Sequence, residues 1–218
     1  MKIEKGMMEE LFYIYSEIKE RVEERLDEFK KLGNTGKDRE FFLELIFCML
    51  TPQSKARNAD RTVRVISKDD FIWKATPEEI APFLNLVRFK NKKAEYICLA
   101  RERFFINGRF LLRNELKKYE SPEEKRDFLV ENVKGIGYKE ASHFLRNTGF
   151  GFELAILDRH VVRNLCRLGI LEDIDVNLFR KNYIEIEKKM RGFALDSKIP
   201  MPYLDFVFLY REIGDVFK

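Results

Sequence analysis

Residues 133–147 read VKGIGYKEASHFLRN. Gly135, Ile136 and Gly137 make a glycine-punctuated turn, and the apolar spacing after it predicts a helix over 138–147. A helix is also predicted before it, because Ser121-Pro122-Glu123-Glu124 places a capping residue ahead of proline and a glutamate at the third helical position. Two short helices joined by such a turn form a helix-hairpin-helix. Its glycines permit a sharp reversal, and the unpaired N–H groups opening the second helix can hold a phosphate without reading bases. A plain connection between helices can carry the same Gly-x-Gly pattern, so the turn alone does not settle function.

Working outward, apolar residues recur at three and four, as in Leu11, Tyr15, Ile18 and Val22, and again in Phe42, Leu45, Ile46 and Met49. The chain reads as all-α, with helices near 7–32, 38–50, 54–67, 77–84, 91–105, 109–117, 122–131, 138–147, 159–168, 177–194 and 201–213. Thr76-Pro77-Glu78-Glu79 marks a further helix start, while Gly33-Asn34-Thr35-Gly36, Asn107-Gly108 and Gly149-Phe150-Gly151 read as separators. No repeat or Pro/Ser linker appears, so any lobes pack directly together.

The composition narrows the class. A net charge of +4 permits nucleic acid without demanding it. Cys48, Cys98 and Cys166 stand far apart in apolar surroundings and read as reduced core residues of a cytoplasmic protein. His143 and His160 lack partners at ligand spacing, so neither a metal nor another cofactor is expected. The N-terminal segment has no apolar run suited to a signal peptide or membrane span. Lys, Arg and Glu abound while Gln53 is the only glutamine, a bias that suits a heat-adapted protein and draws attention to Gln53. Trp73 and the aromatic stripes FFLELIFCML and YLDFVFLY read as core.

Lys139 stands in the first turn of the hairpin's second helix, where the helix dipole disfavours a cation. With partial desolvation this enlarges the fraction of neutral amine, which is a nucleophile able to form a Schiff base. Further along, AILDRHVVRNL places Asp158 at a helix N-cap, held ionised by backbone N–H groups. A carboxylate close to Lys139 would act oppositely and stabilise the ammonium. The plain readings are a surface lysine and a simple cap.

The run VKGIGYKEASHFLRNTGFGFELAILDRHVVR resembles the signature of the helix-hairpin-helix DNA glycosylases, such as endonuclease III. That resemblance implies Lys139 as nucleophile, Asp158 as catalytic carboxylate, and Gly135 and Gly137 as the phosphate-binding hairpin, which spans about residues 122–148. Upstream, LIFCMLTPQSKARNADRTV is similar to the segment from which these enzymes insert a polar residue into the gap left by an extruded base. Gln53 takes that position, with Ser54 and Lys55 beside it on DNA. The departures are Lys134 in place of the usual proline, a loop at Phe152-Glu153 lacking proline, and a lone Cys166 where endonuclease III has four cysteines. An iron–sulfur cluster is therefore not expected.

The segment IPMPYLDFVFLYREIGDVFK resembles the C-terminus of the compact 8-oxoguanine DNA glycosylases of archaea and some thermophilic bacteria. The likeness implies that Lys218 helps recognise the oxidised base, with Pro52, Asp205 and Phe217 as further pocket residues. Either a backbone carbonyl near Pro52-Gln53 or the carboxylate of Lys218 could accept from N7–H, which guanine lacks. The implied architecture has two lobes, one over 35–130 and the other from 1–34 plus 131–218, with the site in the groove between them. The implied function is excision of 8-oxoguanine from double-stranded DNA and nicking by β-elimination, performed by a monomer at the nucleoid. An oxidised-pyrimidine glycosylase, a non-catalytic DNA-binding module and a helical scaffold are the alternatives.

Overall fold

The computed structural model describes residues 5–172 and 180–217. Its helices are α1 (Lys5–Thr35), α2 (Asp38–Leu50), α3 (Ala56–Ile66), α4 (Phe71–Lys74), α5 (Pro77–Ile80), α6 (Lys90–Phe104), α7 (Leu112–Leu116), α8 (Pro122–Asn132), α9 (Tyr138–Asn147), α10 (Arg159–Arg167), α11 (Arg180–Ser197) and α12 (Met201–Ile213). The described residues are all-α apart from one short hairpin, β1 (Phe105–Ile106) with β2 (Arg109–Phe110). The two predicted capping boxes are present: Thr76 and Ser121 each accept from the backbone N–H of the third residue, whose glutamate bonds back. The expected start of a helix at 177 lies outside the described residues.

Three expectations change. The predicted helix over 109–117 begins only at Leu112, because Asn107 and Gly108 adopt positive φ (51° and 76°) and turn the chain into an antiparallel hairpin. An Asn-Gly pair suits that twist better than a simple separator would. The segment expected as one helix over 77–84 splits, becoming a 3₁₀ turn from Ala81 to Leu84 where Pro82 stands. Gly33 does not end the first helix but lies within it. A Cβ there would come 1.9 Å from the Thr148 carbonyl oxygen, so glycine is required for close approach to the end of α9. The helix ends at Thr35, where Arg113 donates to the carbonyls of Gly33 (2.8 Å) and Gly36 (2.7 Å).

Apolar burial gathers into two cores. One is built on α2, with Phe41, Phe42, Leu45, Ile46 and Phe47, and is joined by Ala141, Phe144 and Leu145 from α9. The other packs Ile18 and Val22 of α1 against Val161 and Leu165 of α10 and Phe206–Phe208 of α12. Leu154 belongs to the first core and Ala155 to the second, so the chain crosses between them just before Asp158. Trp73 packs among Phe42, Phe105 and Phe110. Cys48 and Cys98 are buried, whereas Cys166 is only partly covered. No helix among the described residues is long and apolar enough to cross a membrane.

Candidate active site

The hairpin runs from α8 through Val133–Gly137 into α9. Gly135 has φ +84°, a conformation other residues rarely adopt, and a Cβ there would strike the Tyr96 ring of α6 at 2.3 Å. Lys134 and Gly135 are exposed at the tip, while Ile136 anchors the turn in the first core. Lys139 follows in the first turn of α9, with its side chain 24% exposed. Its Nζ lies 3.0 Å from Glu140 Oε1, and Glu140 also accepts from the Gly137 N–H at 3.2 Å. The unfavourable placement of a cation at a helix start is thus offset by an adjacent carboxylate. Glu140 was visible in the sequence as a glutamate at the third helical position.

Gln53 occupies the turn between α2 and α3. It is exposed and left-handed, with φ 54°. Pro52 and Ser54 are half-buried beside it, and Lys55 is exposed immediately before α3. Beneath the turn lies Lys93, a residue the sequence reading missed. Only 5% exposed, its ammonium donates to the carbonyls of Leu50 (2.7 Å) and Pro52 (2.9 Å) and to Ser54 Oγ (3.3 Å). Burial, and then the nearby Lys139, pull the Lys93 amine down to about 8 against the opposing effect of Glu140. Phe89, also missed, is an exposed left-handed aromatic at φ 59° directly before α6, with the Arg88 guanidinium over its ring.

Asp158 caps α10, with Oδ1 accepting from the N–H groups of His160 (2.8 Å) and Val161 (2.9 Å). The strand of chain leading to it is clamped by α11. Tyr183 donates to the Ala155 carbonyl at 2.7 Å and accepts from Leu157 N–H at 3.2 Å, while Glu187 accepts from Ala155 N–H at 2.8 Å. Glu187 in turn takes a bidentate pair from the buried Arg126 of α8, at 2.7 and 3.1 Å. Burial pushes the Tyr183 hydroxyl well above its usual range, keeping it a neutral donor.

Asp205 on α12 is an electrostatic neighbour of Asp158 and pairs with Arg146 of α9. Burial raises its carboxyl, Arg146 opposes that, and Asp158 adds to it. Arg146 also bonds Asn147, which donates to Glu44 of α2 at 2.6 Å, so the pair is linked to the first core. Lys139 and Arg146 lie on one face of α9, about two turns apart. Phe217 packs against the first core beneath the Arg57 guanidinium, whereas its neighbour Val216 is buried in the second core. Lys218 lies outside the described residues. Among the described residues, no group of three or more His, Cys, Asp or Glu is arranged to hold a metal.

A hairpin with a lysine opening its second helix, followed by a capping aspartate beside a buried ion pair, can be compared with known proteins. The family model for 8-oxoguanine DNA glycosylase matches residues 22–199. The chain belongs to this 8-oxoguanine DNA glycosylase family. Among its relatives, an 8-oxoguanine DNA glycosylase/AP lyase of Fusobacterium nucleatum is 44% identical over 209 residues, covering 96% of each chain. One from Methanocaldococcus jannaschii is 39% identical over 204 residues, covering 93% of this chain and 94% of the relative. Solved glycosylases superpose throughout. The Thermotoga maritima enzyme gives a TM-score of 0.86 at 37% identity over 98% of this chain and 99% of that one. The M. jannaschii enzyme bound to a 15mer DNA containing 8-oxoguanine also gives 0.86, at 35% identity over 98% and 100%.

Proposed function

We propose that this glycosylase excises 8-oxoguanine from duplex DNA and then nicks the strand, with Lys139 as nucleophile and Asp158 as the catalytic carboxylate. The observation that carries the assignment is a partly buried lysine at the start of the hairpin's second helix, in a fold where an aspartate caps α10. The hairpin at Gly135 and Gly137 receives a phosphate, and the nucleotide enters between the lobe over 35–130 and the lobe completed by α1 and the later helices. Gln53, flanked by Ser54 and Lys55, occupies the space that the base leaves. This offsets an unstacking cost of about a few kcal/mol. The specificity pocket is assigned to Pro52, Asp205, Phe217 and Lys218. Neither a metal nor another cofactor enters the reaction.

Chemically, the neutral Lys139 Nζ attacks the sugar C1′. The C1′–N9 bond breaks, and its electron pair leaves with the base, which takes up a proton. Asp158 stabilises positive charge growing on the sugar: both cap bonds fall on Oδ1, and Oδ2 is assigned to the sugar side. Sugar ring opening then turns the amine adduct into a protonated Schiff base. Loss of a C2′ proton and departure of the 3′ phosphate complete the β-elimination.

Borohydride trapping tests this assignment. With a duplex carrying 8-oxoguanine opposite cytosine, wild type yields a covalent protein–DNA band and Lys139→Ala yields none. A band that persists in Lys139→Ala removes that lysine from the nucleophile's place. A parallel thymine glycol duplex distinguishes the oxidised-pyrimidine reading by its faster excision.

A further inference from the structure

Lys93 is a buried cation that the chemistry above does not use. It lies in the first turn of α6, at the end of a helix that disfavours positive charge, and its side chain is almost fully covered. Such a placement is costly unless the ammonium's hydrogens are all matched. They are: the three donors meet Leu50 O, Pro52 O and Ser54 Oγ. The first of these is a carbonyl of the last turn of α2, where the helix dipole favours a cation. The others belong to the turn that presents Gln53.

The same turn is tied to a second one. Ser54 Oγ, besides taking the Lys93 bond, accepts from the Arg88 N–H at 3.0 Å, and Asn58 donates to the Leu86 carbonyl at 3.1 Å. Gln53 and Phe89, the exposed residues carried by these turns, both hold left-handed backbone conformations that their side chains do not favour. Strained, exposed residues keep such conformations only where the surrounding structure imposes them. Lys93 and Ser54 are that surrounding structure. One helical turn along α6, Tyr96 abuts Gly135 of the hairpin, so a single helix relates both turns to the phosphate-binding loop.

We propose that Lys93 is a positioning residue that locks the Gln53 and Phe89 turns together as one DNA-inserting wedge and thereby governs base extrusion. This rests on the glycosylase reading above and assigns Lys93 no contact with the reacting atoms. The burial that pulls its amine down to about 8 leaves it charged at neutral pH, with one donor on the end of α2 and two on the Gln53 turn.

The test compares wild type with Lys93→Met, Lys93→Arg and Ser54→Ala. It measures single-turnover excision from an 8-oxoguanine duplex, nicking at a preformed abasic site, and the fluorescence of a 2-aminopurine stacked beside the lesion. Lys93→Met should slow excision by about thirtyfold and diminish the fluorescence rise at equal DNA occupancy, with nicking of the abasic duplex held within about threefold. Lys93→Arg, which keeps the charge and donors, should recover part of the loss. Ser54→Ala, which removes one of the three acceptors, should show a smaller loss of excision and of the fluorescence rise, and carries the test if Lys93→Met does not fold. Equal losses on both substrates with an unchanged fluorescence rise would overturn the proposal and assign Lys93 to the Lys139 amine. Unaltered variants beside an active wild type would overturn it alone, whereas a wild type inactive on both duplexes would overturn the glycosylase reading beneath it.

Discussion

Both ends of α9 carry a cation, and the protein treats the two in opposite ways. At the start, the Lys139 side chain is 24% exposed and meets a neighbouring carboxylate on its own helix, Glu140. Near the end, the Arg146 side chain is 5% exposed, pairs with Asp205 across to α12, and is covered by the rings of Phe29 and Phe206. An arginine cannot give up its proton and has a planar fork that can be satisfied inside a core, whereas a lysine can lose its proton and attack. The difference teaches that α9 has an accessible end and an anchoring end. Charge alone does not distinguish them, but partner and burial do.

The comparison breaks most sharply at Lys139. Lys139→Gln should reduce excision and Schiff-base trapping by about 10³-fold or more. Its melting curve should stay within about 0.5 kcal/mol of wild type, as expected of a partly exposed side chain. At the other end, Arg146→Met should lower the unfolding free energy by about 3–5 kcal/mol in urea titrations, because it strands a buried carboxylate. The double variant Arg146→Met/Asp205→Leu should recover much of that loss. Failure to recover would mean that the Asn147–Glu44 link, and not the ion pair, carries the stability.

Asp158 allows cap and charge to be separated. Asparagine caps a helix about as well as aspartate, so Asp158→Asn should leave stability within about 0.5 kcal/mol while excision falls by about 10²-fold. A loss of stability instead, with activity in proportion, would reduce Asp158 to a cap. Next in size is Gly135→Ala, which combines a left-handed alanine with a clash against Tyr96. It should cost about 2 kcal/mol and weaken DNA binding in a salt-dependent titration.

What was legible in the sequence was local. Thr76-Pro77 and Ser121-Pro122 announce their helices because a cap and its glutamate lie within one turn, and Asp158 sits at its N-cap for the same reason. The glycines were harder, since a residue without a side chain serves a turn or a close contact equally well. Gly33 proved to be the latter. Asn107-Gly108 was noticed but misread, because the flanking strands are two residues each, too short to show alternation. Contacts over long separations left no trace. In NKKAEY nothing distinguishes the buried Lys93 from the exposed Lys92, and the Arg126–Glu187 clamp behind Asp158 joins residues far apart in the chain.

Lys93 supplies the finest probe, because it is a third cation beside α9, buried like Arg146 yet a lysine like Lys139. Its folded value of about 8 lies below the ordinary lysine value of 10.5, with burial as the main cause and Lys139 adding to it against Glu140. Between these values the unfolded chain binds more protons than the folded one, so stability contributed by this group rises with pH. The cost of burying the charge is fully present below about pH 8 and is relieved as pH climbs toward 10.5. Lys93→Met has no such group. Over that window the stability of wild type relative to Lys93→Met should therefore increase, by at most on the order of 1 kcal/mol per pH unit in parallel urea titrations. A flat difference would place the Lys93 amine in contact with water and group it with Lys139. A rising one would mean that the molecule holds a charge under the Gln53 turn against the cost of burying it, a cost that the bonds to Leu50, Pro52 and Ser54 offset only in part.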